Sequence, residues 1–423
     1  MGTLLFRLIY SLLLVLALPF YLPSLYRKKV GKPSVEKRWK EHFGITPPLT
    51  KATGSVIWIH AVSVGETIAA TPLIKKIKQQ NPESTIVLTT TTPTGAKQAE
   101  TLSEYVTHRY MPLDFTFAVK RFVKVIKPKQ LIIIETELWP NTLTTVNKLG
   151  IPISVVNARL SDHSYNGYNK FRFVTNIIMP CLERVICQHV NDANNFIKLG
   201  IAKDKVFVSG SIKFDISISE EVQTNGEQLR DALCSQRPVW IAASTHQGED
   251  EIVLAAHKDL LQAHPNALLI LVPRHPERFE SVYQLCSSSF STNRRTANAE
   301  CNENTQVYLA DTMGEMLTLI AAADLCFMGG SLLGDKVGGH NMLEPAALAK
   351  PIITGASYFN FTDITNQLVS AGACKIVNSE GELAAELKTL FMDKEASQQK
   401  GLAAKQVVDE NRGAIKKTIG YLE

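Results

Sequence analysis

Val56-Ile57-Trp58-Ile59, followed by His60-Ala61-Val62-Ser63-Val64-Gly65-Glu66, decides how this chain folds. Four large apolar residues without polar alternation predict a short strand covered on both faces, as in a parallel sheet. Gly65 lets the backbone turn tightly directly after it, and residues 67–80 have the pattern of a helix. Strand, turn and helix in that order open a βαβ unit.

The same alternation runs outward from there. Residues 85–92 predict a strand and 94–105 a helix, with further strands at 131–134, 153–156, 185–187 and 206–208. The polar stretch 220–237, which contains Asn225-Gly226, is expected to link two domains. Beyond it strands at 239–243, 268–272, 307–309, 325–328 and 352–353 alternate with helices at 250–263, 277–286, 313–323 and 342–349, and 287–305 is expected to be a polar surface loop. Short buried strands separated by helices define an α/β chain with parallel sheets. The expected layout is an anchor at 1–26, a basic linker at 27–54, a Rossmann-like domain at 55–219, the linker 220–237 and a second Rossmann-like domain at 238–423. Two such domains facing each other across a cleft make the GT-B architecture.

Composition excludes several other classes. The chain has 423 residues, 45% hydrophobic and 20% charged, which is ordinary for globular domains. Its net charge of +5 is modest, and no basic stripe with interleaved aromatics suggests a nucleic-acid partner. Seven scattered cysteines lack C-x-x-C pairing and read as small buried hydrophobes in a reducing compartment. Residues 8–26 carry no charge, and about 20 apolar residues suffice to cross or deeply enter a bilayer. No small-residue cleavage site follows; Pro19, Phe20, Pro23 and Tyr26 do, and then seven Lys or Arg from Arg27 to Lys40 against one acid, Glu36. An uncleaved anchor with the body on the cytoplasmic side is the expectation.

Polar clusters gather at the predicted strand ends, where open parallel sheets bind ligands. Glu66 stands on the first turn of a helix. The helix dipole favours an acid there, and the competing reading is a general base that takes the proton of an attacking hydroxyl. Glu135-Thr136-Glu137-Leu138-Trp139-Pro140-Asn141 ends the run Ile132-Ile133-Ile134. Two acids at a strand end are seldom buried without partners; the alternative is a helix N-cap region with one solvated acid. Asn157-Ala158-Arg159-Leu160-Ser161 and Ser209-Gly210-Ser211-Ile212-Lys213-Phe214-Asp215 close later strands. Lys213 offers a cation to an acidic sugar or its phosphate, or an ion pair to Asp215 or Glu135.

In the second half, Ser244-Thr245-His246, Pro273-Arg274-His275-Pro276-Glu277-Arg278, Asp311-Thr312-Met313-Gly314-Glu315 and Gly338-Gly339-His340-Asn341-Met342-Leu343-Glu344-Pro345 all fall at strand-to-helix turns. Unpaired N–H groups make 339–342 a candidate phosphate cradle, and Glu344 is placed to meet ribose hydroxyls. Glu249-Asp250-Glu251 reads as acids in a helix first turn. With no D-x-D at a strand end and no histidine pair at ligand spacing, no metal is expected.

These motifs, in this order and behind an N-terminal anchor, resemble the 3-deoxy-D-manno-octulosonic acid (Kdo) transferases of lipopolysaccharide synthesis along the whole chain. The resemblance implies an inverting, metal-independent GT-B enzyme without a cofactor. It implies transfer of Kdo from CMP-Kdo to the lipid A precursor (lipid IVA), with release of CMP, at the cytoplasmic face of a bacterial inner membrane. Carried over by motif, it makes Glu66 the general base and gives Glu135 and Lys213 a part in stabilising the transition state. Pro273, Arg274, Met313, Gly314, Glu315, Asn341, Met342, Leu343 and Glu344 match positions that contact CMP. A nucleotide-sugar epimerase of GT-B fold, or another CMP-sugar transferase acting on a lipid, are the alternatives.

Overall fold

The computed structural model describes residues 2–26, 33–49, 54–233, 236–297 and 301–423. Most of the basic cluster's first half (27–32) and Cys234 therefore lie outside the described residues. The chain forms two compact units, Met1–Asp215 with Gly413–Glu423, and Ile216–Arg412.

The first unit is built on seven strands, β1 (Val56–His60), β2 (Thr85–Thr90), β3 (Val106–Tyr110), β4 (Gln130–Ile134), β5 (Ile153–Ala158), β6 (Arg184–Cys187) and β7 (Val206–Val208). They pair in the order β3-β2-β1-β4-β5-β6-β7, all parallel. Strand β1 is buried along its whole length, as its unbroken apolar run requires. Trp58 faces one core layer with Phe122 and Ile133, and Ile57 and Ile59 face the other with Leu73 and Ile74. Strand order reverses between β1 and β4, so the crevice of this sheet opens where the loops bearing Glu66 and Glu135 leave it.

The second unit has β8 (Val239–Thr245), β9 (Leu268–Pro273), β10 (Thr292–Arg294), β11 (Val307–Leu309), β12 (Leu325–Met328), β13 (Ile352–Gly355) and β14 (Cys374–Val377). Their order is β10-β11-β9-β8-β12-β13-β14, again parallel throughout. Here the order reverses between β8 and β12, which places the turns after Thr245 and Met328 at the switch point.

Two expected boundaries move. The stretch 220–237, expected as a linker, is mostly the helix Glu220–Ala232, capped by Ser219 and packed on the helix Met316–Ala322 of the second unit. Gly226 serves that packing rather than a turn, since a Cβ there would stand 2.4 Å from the Cβ of Ala321. The chain's last helix, Ala414–Leu422, returns to the first unit, where Ala414, Ile415 and Ile419 complete a core layer. Asp215 holds it there by accepting from the backbone N–H groups of Gly413 and Ile415.

The N-terminal 25 residues, Gly2–Tyr26, form one helix, α1. Among the described residues no helix is long and apolar enough to cross a membrane.

Candidate active site

In the first unit the helix α2 (Val64–Gln80) starts directly after β1. Ser63 is its N-cap, with Oγ accepting from the Glu66 N–H at 3.3 Å. In return Glu66 Oε1 accepts from Ser63 Oγ at 3.0 Å, and Oε2 accepts from the Val62 N–H at 2.7 Å. This reciprocal cap fixes the carboxylate on the first turn. It does not remove it from the site. Glu66 lines a polar cavity of about 300 Å3 together with Glu135, Thr136, Glu137, Arg159, Ser161 and Ser164. Burial, with Glu135 and Glu137 adding negative charge against the two stabilising hydrogen bonds, pushes Glu66 up to about 7. Burial also raises Glu137.

The loop after β4 divides by role. Glu135 has a left-handed backbone (φ +61°) and meets Lys213 Nζ at 3.1 Å, so the ion pair considered for Lys213 is with Glu135 and not with Asp215. Thr136 Oγ1 donates to the Arg159 carbonyl and accepts from the Arg159 N–H, joining the loops after β4 and β5. Asn141 is fully buried and donates its backbone N–H to Asp114. It is therefore structural. Asn157, also left-handed (φ +56°) and buried, accepts the Ile212 N–H on Oδ1 at 3.1 Å. That bond sets the short turn Ile212–Phe214 from which Lys213 projects. Strained residues at three strand ends, Glu135, Asn157 and Ser244 (φ +58°), mark the places where backbone strain concentrates at functional sites.

In the second unit Asp250 and Glu251 stand in the first turn of a helix as expected, and Glu249 and Asp250 also hold the loops. Glu249 is fully buried and accepts four backbone N–H groups, from Gly330 (2.6 Å), Ser331 (2.9 Å), Leu332 (3.0 Å) and His246 (3.2 Å). It thereby binds the turn after β8 to the turn after β12. Asp250 is buried against Thr245 and Arg278, which makes Arg278 structural too. Arg274 and Met313 are exposed, Pro273 is buried at the end of β9, and Gly314 has φ +87°. Glu315 is held in a bidentate pair with Arg295 at 2.7 and 2.9 Å.

The expected phosphate cradle is partly self-satisfied. The Gly339 N–H donates to the Gly330 carbonyl and the Leu343 N–H to Asn341 Oδ1. Met342 and Leu343 are buried in the core, and Glu344 accepts from Asn341 Nδ2 at 3.2 Å. His246 and His340 stack with ring planes 8° apart and Nε2 atoms 2.9 Å apart, while His275 meets His246 edge-on. Burial and neighbouring cationic groups hold His246 down to about 4 and His340 to about 3, so both are neutral near pH 7. A second cavity of about 460 Å3 runs beside the turn after β12, lined by Ser331, Leu332, Asp335, Ser357, Tyr358 and Phe359. The last three belong to no motif read from the sequence, because their role comes from the turn after β13 folding over the turn after β12.

Two parallel α/β units with polar loops at their switch points, one of them holding a half-buried carboxylate, have the build of the GT-B class. The family profile described as 3-Deoxy-D-manno-octulosonic-acid transferase (kdotransferase) matches residues 37–216. A 3-deoxy-D-manno-octulosonic acid transferase of Haemophilus influenzae is 39% identical over 420 residues, covering 99% of this chain and 98% of that protein. One of Bordetella pertussis is 35% identical over 329 residues, 75% of each chain. The chain belongs to the 3-deoxy-D-manno-octulosonic acid transferase family. Among solved structures, UDP-GlcNAc 2-epimerase from Neisseria meningitidis shares the fold at 15% identity, with a TM-score of 0.57 over 87% of this chain and 99% of that one.

Proposed function

We propose that this chain transfers Kdo from CMP-Kdo to the lipid A precursor with inversion, at the cytoplasmic face of a bacterial inner membrane. One observation carries the reading. Glu66 combines a fixed position at the switch point of the first sheet with a proton affinity near neutrality, about 7. A base of that strength takes a hydroxyl proton efficiently at cellular pH.

In the reaction Glu66 removes the proton of the acceptor hydroxyl as its oxygen attacks the anomeric carbon of the donor sugar. The bond from that carbon to the CMP phosphate breaks, and CMP leaves with the electron pair. Lys213 supplies positive charge, and its pair with Glu135 holds the ammonium in place until negative charge develops. Arg274 and the turns around Gly314 and Asn341 hold the nucleotide. The chemistry needs no metal, because backbone dipoles and a cation can stabilise the leaving phosphate. The epimerase likeness, at 15% identity, extends to the fold alone. The test is Glu66→Gln with CMP-Kdo and lipid acceptor, products resolved by mass: donor binding should persist and transfer should cease. Transfer at the wild-type rate would remove Glu66 from the mechanism.

A further inference from the structure

Helix α1 is fixed to the first unit at both ends. Near its start Arg7 donates to Asn141 Oδ1 (3.1 Å), Thr116 Oγ1 (2.7 Å) and Thr145 Oγ1 (3.3 Å). Asn141 Nδ2 donates to Ser11 Oγ at 3.1 Å, and Phe6 meets Phe173 edge-on at 5.3 Å. At its end Leu25 and Tyr26 pack on Val35, Ala96 and Tyr110, and the Tyr26 hydroxyl bonds His42 Nδ1 at 3.0 Å.

Between these points burial follows the helical period. Phe6, Arg7, Tyr10, Ser11, Leu14 and Leu18 turn towards the unit and are half-buried. Leu5, Leu8, Leu12, Leu13, Leu16 and Phe20 turn away and are 58% to 83% exposed. That is a continuous apolar face, far larger than the single exposed leucines of an ordinary surface. The ground around it is amphipathic in the manner of a membrane interface. Phe117 follows Thr116 directly and has Arg121 above its ring at 5.4 Å. Phe171 and Phe173, both exposed, flank the exposed Arg172, and Lys120 is exposed beside Arg121. Aromatic rings and cations of this kind sit at the headgroup level of anionic bilayers.

We propose that α1 lies in the plane of the membrane, within the leaflet that faces the enzyme, and does not cross it. This rests on the reading that the protein works at a membrane. The geometry leaves a crossing helix no room. At 1.5 Å per residue 25 residues extend about 37 Å, and a span would put one end beyond about 30 Å of hydrocarbon. Either Arg7 would have to leave Asn141, Thr116 and Thr145, or Tyr26 would have to leave His42. A stripped Arg7 would then sit in lipid without partners, which is costly. With α1 in the plane, its leucine face enters the acyl region and its polar face is satisfied by protein. The arrangement also has a consequence for the site. Asn141 ends the loop that begins with Glu135 and Glu137, so the plane of the membrane is tied by hydrogen bonds to the loop lining the carboxylate cavity.

The test uses the full chain with an epitope tag ahead of Met1, added to preformed vesicles of phosphatidylethanolamine and phosphatidylglycerol. Vesicles are floated and then treated from outside with a protease that removes the tag. Flotation with the tag removed as completely before detergent as after it is the expected result. Flotation with a tag protected until detergent is added would overturn the in-plane helix and leave the membrane reading standing. Failure to float, with a dimer in light scattering, would give the leucine face to a second copy of the chain and sink both.

Discussion

Replacing Glu66 by Gln separates catalysis from stability in one experiment. The amide oxygen can still accept from the Val62 N–H, and the amide nitrogen can donate to Ser63 Oγ, so the cap survives. What is lost is the proposed base. General-base catalysis contributes about 10^2 to 10^4 in rate, equivalent to roughly 3–5 kcal/mol of barrier, and turnover should fall by at least that factor with donor affinity unchanged. Stability moves the other way. The folded pKa of Glu66 lies above its ordinary value, 4.5 raised to about 7. Its contribution is therefore fully present below the unfolded pKa and is lost as pH rises from 4.5 through about 7. A shift of this size corresponds to roughly 3 kcal/mol at 1.36 kcal/mol per unit, and solvent screening of a partly exposed group reduces it to about 1–2 kcal/mol. Denaturant unfolding at pH 5 and pH 8.5 reads the effect. Between pH 5 and pH 8.5 wild type should lose about 1–2 kcal/mol relative to Glu66→Gln, the buried histidines contributing equally to both proteins. Parallel pH curves for the two proteins would refute the claim that Glu66 is the perturbed group, and undiminished turnover would refute its role as base. The wild-type rate itself should climb with pH through about 7 as the carboxylate ionises.

Other substitutions probe separate parts. Lys213→Met leaves Glu135 unpaired, so the cavity becomes more negative, and the acid limb of the pH–rate profile should move up by about half a unit or more while kcat falls about tenfold; a downward move would contradict the pairing. Gly338→Ala places a Cβ 2.4 Å from the Phe359 ring at φ +85° and should weaken CMP binding in calorimetry while costing about 1–3 kcal/mol in thermal unfolding. Unchanged CMP affinity would detach that turn from the nucleotide. Glu249→Ala strands four backbone N–H groups and should cost at least about 3 kcal/mol in unfolding free energy, a loss that rules out a mere solvated first-turn acid. Transfer measured with and without EDTA should be equal; a strict divalent-metal requirement would reverse the reading of the leaving-group site.

What the sequence reveals is set by how local the determining contacts are. The core strands were legible because β1, β4, β8 and β9 are buried on both faces and therefore written as unbroken apolar runs. β3, Val-Thr-His-Arg-Tyr, and β10, Thr-Asn-Arg, lie at sheet edges with half-exposed residues and carry no such signature. β14 at the other edge was hidden likewise. Asn225-Gly226 spells a turn locally, yet a helix runs through it, because Ala321 of another helix presses on the glycine. The part of Glu249 in joining two turns was illegible, since its partners are backbone atoms more than 80 residues away.

The case of Glu66 shows why local and functional readings of one residue need not compete. The structure shows the helix-capping acid directly, and the proposed role as base is compatible with it. The bonds from Val62 and Ser63 that make it a cap also fix the direction of both oxygens, and they stabilise the charged form. Left to those bonds alone the carboxylate would be too weak a base. Burial and the nearby charges of Glu135 and Glu137 act against them and win, returning the proton affinity to neutrality. In the proposed mechanism capping supplies orientation and the acidic cavity supplies basicity, and removal of either should disable proton transfer while leaving the helix in place.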